Sequence, residues 1–94
     1  MTLTLCLKYK WFAMIASGEK LEEYRDITPY YAAKFLENGV YRQYDKVKFV
    51  MGHDFDTCVI FKNPRIRIGQ GLSRFGAEAG KLYYILTWGE MVCR

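Results

Sequence analysis

The chain has a single histidine, His53, among its 94 residues. Nucleophile pairs of the Ser-His or Cys-His kind need an imidazole beside the nucleophile, so this scarcity argues against them. A zinc site needs about four clustered ligands, and neither His53 nor a Cys-x-x-Cys spacing supplies a start for one. No metal and no cofactor is expected. The cysteines are Cys6, Cys58 and Cys93, an odd number without framework spacing. Cys6 and Cys58 lie in apolar runs, which predicts buried free thiols. No stretch approaches the ~20 apolar residues that span a bilayer. The opening MTLTLCLKYKW has no basic region before its apolar run, so it does not read as a secretion signal. These absences predict a soluble, reducing, cytoplasmic protein with no membrane partner.

What is present is a dense apolar complement. Hydrophobic residues make up 51% and aromatic residues 17% of the sequence. That supports a core without staples in one domain covering residues 1–94. The net charge is +4 and the pI near 9.0. This excess permits a nucleic-acid or nucleotide partner, and an ordinary solvated basic surface accounts for it equally well.

Thr2 to Leu7 (TLTLCL) alternates polar and apolar residues, with Leu3, Leu5 and Leu7 on one face of a strand. Trp11, Met14 and Ile15 then take helical spacing, which predicts a helix from Tyr9 to Ser17 that ends at Ser17-Gly18. Lys20 to Arg25 reads as a strand with charge on both faces, which suits the lining of a cleft. Thr28 as N-cap and Pro29 at the first helical position open a second helix that Asn38-Gly39 ends. Lys46 to Met51 alternates again, and Gly52-His53-Asp54 is turn chemistry. Thr57 to Phe61 reads as a strand buried on both sides. Asn63-Pro64 marks a bend. Arg65 to Ile68 places Ile66 and Ile68 inward and both arginines outward. Gly69 to Gly80 holds four of the eight glycines and reads as a long mobile loop before a closing strand, Lys81 to Trp88. The sum is an α+β fold, a small curled β-sheet or barrel of about five or six mostly antiparallel strands, with two short helices near the N-terminus.

Leu7, Trp11, Ile15, Gly18, Lys20, Glu23 and Arg25 resemble the signature of the ASCH domain family, an aromatic-apolar helix followed by Gly-x-Lys-x-x-Glu-x-Arg. Here it stands as GEKLEEYR. The motif covers about a fifth of the chain, and the order of elements after it also fits. The resemblance implies a PUA-like fold, a small β-barrel with short helices over one opening. It also implies a cleft near the motif that takes RNA or a nucleoside. Similar members are RNA-binding modules, one branch hydrolyses an acyl amide on a modified cytidine, and another is a ribonuclease.

Independently of that resemblance, each motif residue has a chemistry. Gly18 frees the backbone to turn. Lys20 can hold a phosphate as a point charge, or act as a base if desolvated. Glu23 can accept from amines or sugar hydroxyls, and Arg25 can orient Glu23 or fork onto a phosphate. Trp11, Tyr30 and Tyr31 offer stacking faces, though Trp11 also fits a core position. Glu23 with Arg25 equally fits a structural ion pair. Lys10, Arg67 and Arg74 would extend the cleft's charge, while Arg65 and Arg67 equally fit a solvated strand face.

The chain also departs from the amide-hydrolysing branch. Glu23 stands where that branch carries a nucleophilic threonine, and its later acid has no clear counterpart, Glu78 being a guess. Hydrolysis would then need Glu23 as a general base and Lys20 as an oxyanion stabiliser. For a ribonuclease His53 is the available imidazole. Asp54 and Asp56 read as turn formers. Three readings follow: a binding module for RNA or a modified nucleotide, an amidohydrolase or ribonuclease using Lys20 and Glu23, and a protein-interaction surface around Tyr30, Tyr31, Tyr41 and Tyr44. The oligomeric state stays open.

Overall fold

The alternation of TLTLCL becomes a strand with the bounds its pattern gives, Thr2–Leu7, whose three leucines are buried. In the computed structural model, residues 1–93 are described, and residue 93 by its backbone alone. The side chain of Cys93 therefore lies outside the described residues. In chain order the elements are β1 (Thr2–Leu7), α1 (Tyr9–Ala16), β2 (Glu23–Arg25), α2 (Pro29–Phe35), β3 (Leu36–Glu37), β4 (Val40–Tyr41), β5 (Lys46–Met51), β6 (Asp54–Lys62), β7 (Arg65–Gln70), a 3-10 turn (Ser73–Phe75), β8 (Leu82–Thr87) and β9 (Met91–Cys93). They fall into two compact units.

The first unit comprises Met1–Leu21, Tyr44–Pro64 and the chain from Trp88 onward. Its sheet runs β1-β5-β6-β9, with β1 parallel to β5 and the remaining pairs antiparallel. Register aligns Leu3 with Val47 and Leu5 with Phe49, then Val47 with Phe61 and Phe49 with Val59. All of these side chains are buried on one face. Trp88 joins them, 4.9 Å from the Phe49 ring and 5.5 Å from Phe61. α1 packs on β5 and buries Phe12 and Ile15. Each such burial contributes about 1.5–3 kcal/mol. The helix stops at Ser17 because Gly18 takes a φ of 85°, open to glycine at little cost.

The second unit comprises Glu22–Gln43 and Arg65–Thr87. Its three-stranded antiparallel sheet is ordered β2-β8-β7. α2 begins as the sequence predicts, with Pro29 in its first turn and the Thr28 hydroxyl accepting from the Tyr31 N–H at 3.2 Å. Such a cap contributes about 1 kcal/mol. The helix ends at Phe35, earlier than Asn38-Gly39 suggested, because Leu36 is already extended. Asn38 and Gly39 instead turn a two-stranded hairpin, β3 with β4, at positive φ of 54° and 78°. Positive φ at both central residues is what a tight hairpin demands.

The two helices and the predominantly antiparallel strands make this an α+β protein. Several expectations need correction. The described residues hold nine strands in three sheets and form no closed barrel, where about five or six strands in a small curled sheet or barrel were expected. β6 starts at Asp54, which pairs with Met51 across a register shift between Val50 and Met51. Residues 20 and 21 lie outside β2. Cys6 is exposed and Cys58 half-buried, both free thiols, since Cys6 shares parity with Thr2 and Thr4. Ile68 is 47% exposed. The Gly69–Gly80 segment is built: β7 extends into it, a 3-10 turn follows, and Phe75 and Ala77 are buried. Among the described residues, no helix is long and apolar enough to cross a membrane.

Candidate functional site

In the first unit the motif's lysine folds back onto α1. The Lys20 N–H donates to the Met14 carbonyl at 2.9 Å, just beyond the turn at Gly18. The side chain ends 1% exposed, among the largest fully buried side chains of the described residues. Lysine is almost never that buried unless its charge is compensated. Its ammonium lies 5.2 Å from the Trp11 ring centroid, and the Lys10 ammonium 4.6 Å from the same ring. Cation–π contact of this kind contributes about 0.5–2 kcal/mol, more as it is desolvated. Trp11, half-buried, is thus a partner for two cations.

In the second unit, strand parity sorts the charged segment onto two faces. Glu23 pairs with Leu86 and Arg25 with Tyr84, whereas Tyr24, Ile85 and Arg67 align on the opposite face with Thr87 and Arg65. The sequence grouped Glu23, Arg25 and Arg67 in one cleft; the sheet separates the first two from the third.

On the first of these faces, the Arg25 guanidinium donates to Glu23 at 2.8 Å and to the Tyr31 hydroxyl at 3.1 Å. The side chains are 15% and 9% exposed. Burial works against the charged guanidinium, but the Glu23 carboxylate and the Tyr31 hydroxyl outweigh it and raise its pKa above the ordinary value. Tyr31 stacks on Phe35, which meets Tyr84 edge-on, so this pair ties α2 to the sheet. Tyr30 stays 66% exposed beside Tyr31, with the Lys34 ammonium 5.6 Å from its ring.

The other face carries a chain of polar contacts. Arg67 donates to one Glu22 oxygen at 3.0 Å, and the Tyr24 hydroxyl donates to the other at 2.7 Å. The same hydroxyl accepts from the Leu72 N–H at 2.9 Å. Burial first, helped by the Glu22 carboxylate and opposed by the Leu72 N–H and Arg67, pushes the Tyr24 phenol up to about 12. Gly71 is required here, because a Cβ would lie 2.6 Å from the Tyr24 ring. Beside this chain, Arg65, Ile66, Arg67 and Thr87 line a hollow of about 270 Å³. Glu22 fixes Arg67 at its rim. Two guanidiniums and a hydroxyl make an anion-receiving set. Arg74, also expected in the cleft, is exposed and lies 4.8 Å from the Phe75 ring.

A second hollow, about 380 Å³, lies in the first unit against Phe12, Ala16, Thr57, Cys58 and Val59. Lys20, Glu23 and Arg25 line neither hollow. His53 is exposed in the β5–β6 turn, and Asp54 serves that turn by accepting from the Asp56 N–H at 3.1 Å and the Thr57 hydroxyl at 2.7 Å. The Glu78 N–H donates to the Tyr83 hydroxyl at 2.9 Å. Thr87 escaped sequence reasoning because only register brings it beside Arg65. Tyr24 and Glu22 carried a usable signal, since they alternate with Glu23 and Arg25.

No family model matches the chain, and neither a curated protein nor a solved structure matches it.

Proposed function

We propose that the protein binds RNA, or a modified nucleotide within it, as an ASCH-like module of PUA-like kind. The observation that carries this reading is the arginine hollow of the second unit. Arg65 and Arg67 project from alternate positions of β7, and Thr87 adds a hydroxyl from β8. Guanidinium forks match phosphate oxygens in pairs, and a space of about 270 Å³ suits a phosphate with part of its sugar better than a large apolar ligand. The ion pair to Glu22 limits the freedom Arg67 must lose on binding.

Binding is favoured over hydrolysis by exposure. Lys20 and Glu23, the pair a hydrolytic mechanism would use, are 1% and 7% exposed. Glu23 already accepts from Arg25, an arrangement that suits support of the sheet and α2 more than proton transfer to a substrate.

The test is fluorescence anisotropy with a labelled cytidine nucleotide and a labelled short RNA. Arg65→Ala and Arg67→Ala should each weaken binding about tenfold or more, the worth of a charge-assisted hydrogen bond. Circular dichroism of both variants should stay native, because Arg65 is exposed and Arg67 sits at a rim. Unchanged affinity in both variants would overturn the reading.

A further inference from the structure

The sheet of the first unit has an apolar face and a basic one. Register places Thr2, Lys46 and Lys62 side by side in one row, and Thr4, Lys48 and Ile60 in the next. All six share the face opposite Leu3, Leu5, Val47, Phe49 and Phe61. Lys46 and Lys62 are exposed and Lys48 half-exposed. Within β1, β5 and β6 neither row holds an acidic side chain; on the far side of Lys62, the pairing of Phe61 with Met91 sets Glu90 at the edge of the first row. Asp45, next to Lys46 in the chain, holds the terminal amine at 2.7 Å, and the Glu90 carbonyl accepts from the Lys62 N–H at 2.9 Å.

This arrangement works against the fold. Like charges directly opposite on neighbouring antiparallel strands destabilise the sheet, and Lys46 and Lys62 are such a pair. Lys48 stands two residues along on the same face, within reach of both. Extended side chains on a strand face, spaced by the strand repeat and the strand separation, form a short two-dimensional grid of ammonium groups. A polymer with regularly spaced anionic groups neutralises such a grid; a single small anion neutralises one point of it.

We infer that this lysine face binds the phosphodiester backbone of single-stranded RNA without reading its sequence. The inference rests on the nucleotide-binding reading above and specifies its ligand as a polymer. The two rows carry no aromatic ring on which a base could stack, so the contact is to phosphates and is sequence-independent. Lysine suits this role, because a hydrated point charge on a flexible stem follows a mobile backbone where a guanidinium fork would demand fixed geometry.

The experiment uses the full chain, a labelled oligouridylate, a cytidine mononucleotide, and vesicles containing anionic lipid. The variants are the triple change Lys46→Gln, Lys48→Gln and Lys62→Gln, and the double change Arg65→Ala and Arg67→Ala. The triple variant should keep its fold by circular dichroism and bind mononucleotide as the wild type does. Its oligouridylate affinity should fall, and the slope of log affinity against log salt should shrink by about two, three contacts at ~0.7 each. An unchanged slope with intact mononucleotide binding overturns the lysine face and leaves the arginine hollow standing. Lysine-dependent oligouridylate binding that ignores the arginine variant sinks the hollow and keeps the face. Anionic vesicles bound as tightly as oligouridylate, and lost in the triple variant, would overturn the RNA assignment in favour of a lipid surface. No binding of oligouridylate by the wild type overturns it outright.

Discussion

The two units carry the same formal excess of basic over acidic residues and use it in opposite ways. Of the six arginines, Arg25, Arg42, Arg65, Arg67 and Arg74 lie in the second unit. Of the eight lysines, Lys8, Lys10, Lys20, Lys46, Lys48 and Lys62 lie in the first. The second unit commits four of its seven cations to ion pairs: Arg25 with Glu23, Arg67 with Glu22, Arg42 with Glu37 and Lys81 with Asp26, all within 3.1 Å. The first unit's sheet presents Lys46, Lys48 and Lys62 to water on a face whose two rows hold no acid within β1, β5 and β6. Guanidinium forks hold geometry, whereas ammonium groups on long stems stay hydrated and mobile. Net charge alone therefore says little about this protein; what matters is whether a cation is committed to a partner within its own unit.

The sharpest way to break that comparison is to remove one committed cation. Arg25→Ala leaves the Glu23 carboxylate, whose side chain is 9% exposed, without its fork. Losing one partner of a buried pair costs about 3–5 kcal/mol. Lys48→Ala, on the solvent face of the first unit, should stay within about 0.5 kcal/mol of wild type. Urea unfolding followed by far-ultraviolet circular dichroism measures both. If the two variants unfold at the same midpoint, internal pairing does not distinguish the units. Trp11 and Trp88 both lie in the first unit, so their fluorescence also tells whether loss of Arg25 is felt there.

A smaller effect follows from the close contact beneath Tyr24. Gly71→Ala would put a Cβ 2.6 Å from the Tyr24 ring and 2.7 Å from the Ala77 Cβ. Overpacking of this order costs about 1–3 kcal/mol. Because the ring's hydroxyl is anchored at both Glu22 and Leu72, it cannot swing away freely. Thermal unfolding should show the loss, and adding Ala77→Gly should recover part of it. A Gly71→Ala protein that melts with the wild type would mean the polar chain around Tyr24 is slack.

How much of this was legible in the sequence follows from how local each cause is. β1, α1, the Thr28 cap with Pro29 and β5 are legible in the sequence with nearly their observed bounds, because period and capping act over a few neighbours. The parity of Thr2 and Thr4 already placed Cys6 outward; its apolar neighbours misled. The early end of α2 was not legible, since Asn-Gly closes a helix and turns a hairpin alike. The parallel pairing of β1 with β5 joins residues far apart in sequence and leaves no local mark. At the site, the charged segment after α1 was visible, and Glu23 with Arg25 does form a close pair. The separation of that pair from Arg67, and the meeting of Arg65 with Thr87, depend on the register of β7 against β8. Burial of Lys20 follows from the turn at Gly18 and the return to Met14, which the motif's spacing alone does not fix.

The polar chain of the second unit also predicts a pH response. The Tyr24 phenol is pushed up to about 12 from its ordinary 10.0, so the folded state prefers the neutral form. The associated stability is fully present below the unfolded value. Between the two values the unfolded chain loses its proton first, and stability falls as pH rises through that window. Tyr24→Phe should flatten the fall, because no phenol remains to titrate there. Urea midpoints measured across that window decide it, and equal slopes in the two proteins would show that Tyr24 is not held neutral by its neighbours.

The smallest effect bears on the first unit and has the opposite sign. Lys62→Thr removes one of two ammonium groups that face each other across β5 and β6 and puts a strand-favouring residue in its place. Relief of a like-charge cross-strand pair should raise stability by about 0.2–1 kcal/mol at low salt. The gain should shrink as salt rises, because exposed charges are screened within about 10 Å at 0.1 M ionic strength. Lys46→Thr should do the same, and the double variant should gain less than the sum, since one change already ends the repulsion. A residue whose removal stabilises the fold while weakening a polyanion is one kept against the interest of the sheet. If Lys62→Thr instead destabilises the protein, the ammonium has a partner that strand register does not reveal, and the first unit manages its charge as the second does.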